Sequence, residues 1–301
     1  MSFVRRVGRN LNARGVARLS HLFAKKSFRF FEKYLSLHVT PAHYYSPIPR
    51  TDELGPEVFE KVYADTGLDW NLDVQLAYLD GVFADYTDEY RPEPNPGLSL
   101  VDAFALYAMI RKWKPALMVE IGSGFSTQIA LRALRKNREE GHPFRFVAIE
   151  PYPRAELHAI DDPDFELMAA RVQDVDLAFF RDVDLLFIDS THVSKIGSDV
   201  NYEILEIVPS LKPGAVIHWH DIVMPTNYWR EWIRDGNQFW NESYLLHAFL
   251  LFNDAFEVLW AARYMHLTQG DALRARFPYV RDDHRLMSFW IRRTPEADAS
   301  G

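Results

Sequence analysis

The 301-residue chain reads as an α/β protein, a doubly wound, mostly parallel seven-stranded sheet with an N-terminal helical extension. Three observations predict this. From about residue 98, short apolar runs alternate with segments of helical period. None of the runs shows the period-two pattern of a sheet with one wet face. The first run also ends in a glycine turn that opens directly into a helix. Apolar strands covered by helices on both faces are the mark of a parallel, Rossmann-like sheet.

Residues 1–97 form the expected extension. Residues 1–33 carry nine Lys or Arg against the single acid Glu32, a net of +8, within a chain total of −8. The remaining residues therefore sum to −16. Val16, Leu19, Leu22, Phe23, Phe30 and Phe31 recur at near-helical spacing, which predicts a basic amphipathic helix. Such a helix packs on its own acidic domain, on a second copy in a homo-oligomer, or on an anionic membrane surface. The proline-rich stretches 41–56 (PAHYYSPIPRTDELGP) and 91–97 (RPEPNPG) are expected to be extended linkers, with HYYSPIP and its Tyr45 as a lid over an acceptor.

The catalytic domain is expected over 98–301. Ser99 and Asp102 start a helix, and strands follow at 116–121, 145–150, 165–169, 184–189, 214–219, 255–261 and 287–293. In such a sheet, ligands sit beyond the carboxyl ends of the strands. The first strand ends in Glu120-Ile121-Gly122-Ser123-Gly124-Phe125-Ser126-Thr127. Two glycines let a ligand approach the main chain, and the helix that follows offers free N–H groups. An acid before the turn disfavours a pyrophosphate and suits a ligand with an amino group, and the third glycine of a dinucleotide fingerprint is missing. The second strand ends in Glu150-Pro151-Tyr152, an acid placed to accept from both hydroxyls of a ribose. Gln173 and Asp174 follow the third as adenine contacts; Asp189-Ser190-Thr191-His192 and His218-Trp219-His220-Asp221 close the fourth and fifth.

The E-x-G-x-G loop, the acid closing the second strand, the F-I-D-x-x-H at the fourth and the L-K-P-G-x-V-x-x-x-H-D at the fifth resemble a class I S-adenosylmethionine-dependent methyltransferase. The similarity is nearest to small-molecule O-methyltransferases with a D-x-x-H … H-D signature and covers about residues 98–293. It implies S-adenosylmethionine as cofactor. Glu120 and the Gly122–Gly124 backbone, with Ser123, Ser126 and Thr127 beside them, would hold its methionine part. Glu150, Pro151 and Tyr152 would hold the ribose, and Gln173 and Asp174 the adenine, with Asp189 and Ser190 adjoining. The interval from Glu120 to Glu150 is longer than is usual, because 138–143 (REEGHP) is inserted before the second strand.

Two mechanisms fit the reacting end. In one, a divalent Mg, Mn or Fe ion on Asp189, His220 and Asp221 acidifies an acceptor hydroxyl, with His192 as base. In the other no metal binds, and His192 or His220 is a base tuned by the neighbouring carboxylates. His218, on the opposite strand face from Trp219, reads as structural. Four of the eight tryptophans (219, 229, 232, 240) fall within 22 residues. With Tyr228 they predict the wall of an apolar acceptor pocket, or else a helix packed on the extension. The reading is therefore a methyltransferase acting on a hydroxyl of a small molecule. N-methylation, a nicotinamide-dependent oxidoreductase and a non-catalytic binding protein of the same fold are the alternatives.

The composition excludes other classes. There is no cysteine, which removes disulfide scaffolds, thiolate zinc sites and cysteine nucleophiles. No run approaches the roughly 20 apolar residues of a membrane span, and the N-terminus lacks a secretion-signal core. A cytoplasmic protein is expected. The acidic catalytic region disfavours a nucleic-acid partner.

Overall fold

The computed structural model describes residues 13–295. The chain divides into two compact units. The first comprises residues up to Phe59 together with Arg230–Phe239. It contains a long helix, Ala13–Leu35, and short helical turns at Thr51–Glu53, Pro56–Phe59 and Arg230–Arg234. The guanidinium of Arg234 donates to the Thr51 carbonyl at 2.8 and 3.2 Å, tying the inserted segment to the N-terminal one. The expected basic helix is present from Ala13, and residues 1–12 lie outside the described residues.

The second unit comprises Glu60–Trp229 and the chain from Trp240 onward. Among the described residues it holds one sheet of seven strands: β1 Leu117–Ile121, β2 Arg145–Ile149, β3 Phe165–Met168, β4 Leu185–Ile188, β5 Val216–Trp219, β6 Phe256–Ala261 and β7 Phe289–Arg293. All seven expected runs form strands. Their order is β3-β2-β1-β4-β5-β7-β6, with β1 to β5 mutually parallel and β7 antiparallel to both its neighbours. The chain builds outward from β1 to β3, returns to the centre, and continues through β4 and β5. The switch point therefore lies between β1 and β4, where a crevice must open at the carboxyl ends.

The strands are apolar because both faces are covered. On one face the helices Leu100–Trp113 and Phe125–Glu139 bury Phe104, Leu106, Ile110, Leu131 and Leu134 against Met118, Phe146, Phe187 and Trp290. On the other, Val119, Val147, Leu186 and Ile217 pack against Ile204, Ile207 and Leu246. His218 is in van der Waals contact with Phe187 and Trp290, and Trp219 belongs to the opposite cluster, so the two alternate as expected. The helix start is also as expected: Ser99 Oγ accepts from Asp102 N at 3.1 Å. The Asp102 carboxylate in turn receives Met287 N and Ser288 N, which anchors the start of β7.

One boundary differs. Residues 60–97 are part of this unit and not an extension. Trp70, Tyr78, Leu79, Phe83 and Tyr90 are buried in its core. The buried Arg111 on the Leu100–Trp113 helix reaches Glu89 at 2.6 Å and also pairs with Glu140. The apolar content of 60–90 goes to a core rather than to an independent helical piece. No helix among the described residues is long and apolar enough to cross a membrane.

Candidate active site

Two adjoining cavities open at the switch point. One, of about 340 Å³, is lined by Pro96–Leu98, Gly122–Ser126, Glu150, Arg154 and Asp189. The other, of about 330 Å³, runs over Ile149–Tyr152, Arg171–Gln173, Asp189–Thr191 and Lys195. Gly122, Glu150 and Asp189 border both. These are the residues that close β1, β2 and β4.

The glycine turn is built for close approach. Gly122 has φ +77°, and a Cβ there would sit 1.9 Å from the Asp189 carbonyl oxygen. Only glycine lets the ends of β1 and β4 meet at this point. At Gly124 a Cβ would meet no protein atom within 4 Å, so the loop faces open space there. Glu150 is half-buried and accepts from Tyr152 N at 2.8 Å and from Ser123 N at 3.3 Å. These bonds aim its carboxylate across the junction of the two cavities.

Several expected contacts need correction. Glu120 does not border either cavity. It is fully buried, with one oxygen receiving Ser126 Oγ and the other Thr127 Oγ1, both at 2.6 Å. Burial lifts its pKa to about 8 against these bonds. The motif's acid and two hydroxyls thus brace the turn from beneath, and of the three only Ser126 borders the cavity. Asp174 pairs with Arg171 at 2.7 and 2.8 Å and does not line the second cavity, which Gln173 does. Ser190 borders the cavity, and its hydroxyl donates to Glu203.

At the reacting end the geometry is more specific. Asp189, His192 and Asp221 each offer one ligand atom, all within 4.8 Å of one another. His192 Nε2 lies 3.3 Å from both Asp189 Oδ1 and Asp221 Oδ2. Its Nδ1 faces Glu242 Oε2 at 2.8 Å. His192 and Asp221 both adopt left-handed backbone, with φ of 59° and 55°, a conformation that costs non-glycine residues energy and concentrates at functional sites. Asn241 N and Glu242 N donate to the His192 carbonyl, and Ser194 N donates to Asn241 Oδ1, so this turn is zipped to the start of the Glu242–Leu250 helix. The expected ligand His220 is turned away: its Nε2 bonds the Gly97 carbonyl at 3.1 Å and stands 3.7 Å from Asp221 Oδ1. His192 takes the place assigned to His220. The proline-rich 91–97 segment, expected as a linker, is the other half of that bond and forms one wall of the cleft.

Burial disfavours a charged His192, but hydrogen bonds to Asp189 and Glu242 outweigh it and hold the imidazole well above its ordinary 6.5. Two acids near it were not found in the sequence reading. Glu242 and Glu203 are both fully buried, and burial pushes both carboxyls up. Glu242 is 50 residues from its histidine, and no short motif links them. At Glu203 burial and the neighbouring carboxylates outweigh the help its charge receives from Ser190 and His192. Glu203→Gln is expected to leave stability unchanged below pH 4.5 and to raise it relative to wild type as pH climbs from there to the elevated folded-state value, because the unfolded chain then ionises while the wild-type core holds its proton. Thermal melts at pH 5 and pH 8 check this, since Ser190 can still donate to the amide oxygen.

Of the aromatic residues expected around an acceptor, Trp240 lies against His192, with ring centres 4.4 Å apart, and Tyr228 adjoins Trp240 at 6.1 Å. Tyr228 is buried, and its hydroxyl accepts from Ser243 N. Trp219 is a core residue of β5 and lines neither of the two cavities. Trp229 sits beneath the guanidinium groups of Arg263 and Arg285. Tyr45 and Trp232 belong to the first unit, and the site above is built from the second alone.

A switch-point crevice with this glycine turn and an acid closing each of β2 and β4 defines a class I S-adenosylmethionine-dependent methyltransferase, and the chain belongs to that family. Residues 119–222 match the family model described as a methyltransferase domain. The chain is 34% identical over 161 residues to an uncharacterized protein of Archaeoglobus fulgidus, spanning 47% of this chain and 72% of that one. Among solved structures, it is similar to the S-adenosylhomocysteine-bound methyltransferase PaMTH1 of Podospora anserina, with 15% identity, a TM-score of 0.44, and coverage of 74% of this chain and 88% of that one. It is likewise similar to the S-adenosylmethionine-bound O-methyltransferase TomG of Streptomyces achromogenes, at 15% identity and a TM-score of 0.41, covering 75% and 97%.

Proposed function

We propose that the chain methylates a hydroxyl of a small-molecule acceptor, assisted by a divalent Mg, Mn or Fe ion held by Asp189, His192 and Asp221. The observation that supports this is the convergence of those three side chains, of which Asp189 borders both cavities. Two carboxylates and one imidazole suit such ions. Glu242 fixes the ring: if Nδ1–H donates to it, the Nε2 lone pair is left toward the carboxylates. An ion so held would lower the pKa of an acceptor hydroxyl.

The chain's own groups would do the rest. Glu150 would receive the ribose hydroxyls, Gln173 and Val172 would border the adenine, and Arg154 would meet a carboxylate at the far end of the first cavity. Trp240 and Tyr228 would wall the acceptor beside His192. Methyl transfer from a sulfonium needs an in-line acceptor above all, so positioning carries most of the task. His192 cannot hold a proton and a metal ion at Nε2 together. The ligand role and the general-base role are thus alternatives that chelation separates.

The test offers phenols, catechols, aliphatic alcohols and amines to the chelated protein, with and without added Mn²⁺, and follows methyl incorporation by mass spectrometry. Activity on hydroxyls that is lost on chelation and restored by Mn²⁺ supports the proposal. Full activity after chelation overturns metal assistance, and methylation confined to amines overturns the hydroxyl target.

A further inference from the structure

We propose that the Ala13–Leu35 helix is a docking surface for an anionic lipid membrane, on which it lies flat. The helix runs 23 residues without an acid in its first turn. Phe23, Phe30 and Tyr34 stand at i, i+7 and i+11, which is one face of an α-helix, and they are 58%, 56% and 63% exposed. They form a continuous aromatic patch with Phe31: Phe23 and Phe31 are 6.1 Å apart, Phe30 and Phe31 5.7 Å, and Phe30 and Tyr34 5.3 Å. Leu35 and Leu37, which follow Tyr34 in the chain, are also exposed, at 53% and 54%.

The polar side is cationic. Arg18 and Arg29, eleven positions apart, lie opposite the aromatic face and are exposed. Lys33 lies at the border, its ammonium 5.1 Å from the Tyr34 ring centre. Glu32, the one acid of residues 1–33, is engaged by His38 at 3.1 Å. An exposed aromatic stripe of this size is not a usual surface for a monomer. Charge selects its occupant. A second copy of the same helix would bring like charge against like, whereas an anionic bilayer offers an apolar layer for the rings, phosphate groups for Lys33 at their border, and a negative surface field that draws the whole cationic helix. Tyrosine at the end of the stripe suits the headgroup level.

The experiment is co-sedimentation of the intact protein with phosphatidylcholine vesicles and with mixed phosphatidylglycerol–phosphatidylcholine vesicles, at low and high salt. Binding to the anionic vesicles that weakens with salt is expected. Phe23→Ser with Phe30→Ser should lower partitioning roughly tenfold or more, as the loss of two buried rings requires, and Arg29→Glu with Lys33→Glu should do so comparably. Thermal melts of both variants confirm that the catalytic unit is folded. No sedimentation of the intact protein, or equal sedimentation with both lipids, overturns the proposal. So does self-association that Phe23→Ser with Phe30→Ser abolishes in the absence of vesicle binding, since the face then belongs to a second copy.

Discussion

Gly122→Ala is expected to abolish measurable S-adenosylmethionine binding in calorimetry, a loss of more than roughly a hundredfold in affinity, or about 2.7 kcal/mol. The new Cβ would lie 1.9 Å from the Asp189 carbonyl oxygen. That oxygen is backbone and cannot swing away. Asp189 N also donates to the Ile121 carbonyl at 2.9 Å, so the end of β4 can yield only if the end of β1 moves with it. The left-handed backbone at this residue adds about 1–2 kcal/mol for any side chain. Both cavities share this junction, so a shift of even one ångström misplaces Glu150 and Asp189 together. Affinity within a few-fold of wild type would show that the cofactor does not depend on this turn.

His192→Ala is expected to be nearly as damaging, through charge rather than shape. Among the described residues, the imidazole is the one basic group facing Glu242, Asp189 and Asp221 at 3.3 Å or less. Removing one partner of a buried ionic cluster costs about 3–5 kcal/mol. The wild-type protein carries the matching pH signature. A histidine whose folded value is raised contributes stability that is fully present below its unfolded value near 6.5. That stability is lost as pH rises through the folded value. Chelated wild type should therefore lose stability above neutral pH, and His192→Ala should lack that decline. Mn²⁺ titration gives the second readout: raised melting temperature in wild type, no response in the variant. A variant as stable as wild type with unchanged Mn²⁺ binding would remove His192 from the centre of the site.

The fold was largely legible because each strand is an apolar run covered on both sides, and burial of that kind depends on composition more than on distant partners. The strand ends were legible for the same reason: Gly122, Glu150 and Asp189 follow their strands directly, and Asp221 comes one residue later. What the sequence could not convey was direction. Glu120 looked like a ligand contact because it precedes the turn, yet Ser126 and Thr127, six and seven residues on, close over it. His220 and His192 were both within reach of the carboxylates along the chain. The Gly97 carbonyl, 123 residues from His220, decided between them. Glu242 was invisible, since nothing local marks a helix-starting acid as a histidine's partner. The 60–97 segment was misplaced because proline-rich stretches on either side hid an ordinary set of core residues.

Asp189 borders both cavities and also faces His192. With the proposed ion bound, one carboxylate therefore takes part in two occupancies. Whatever enters the cleft and changes the charge felt by Asp189 must change the affinity of the Asp189–His192–Asp221 cluster for a cation. By thermodynamic linkage the cation then changes the affinity of the cleft by the same factor. The two ligands communicate through a single side chain, with no moving domain required. The sign of that coupling decides whether the two ligands recruit or expel each other.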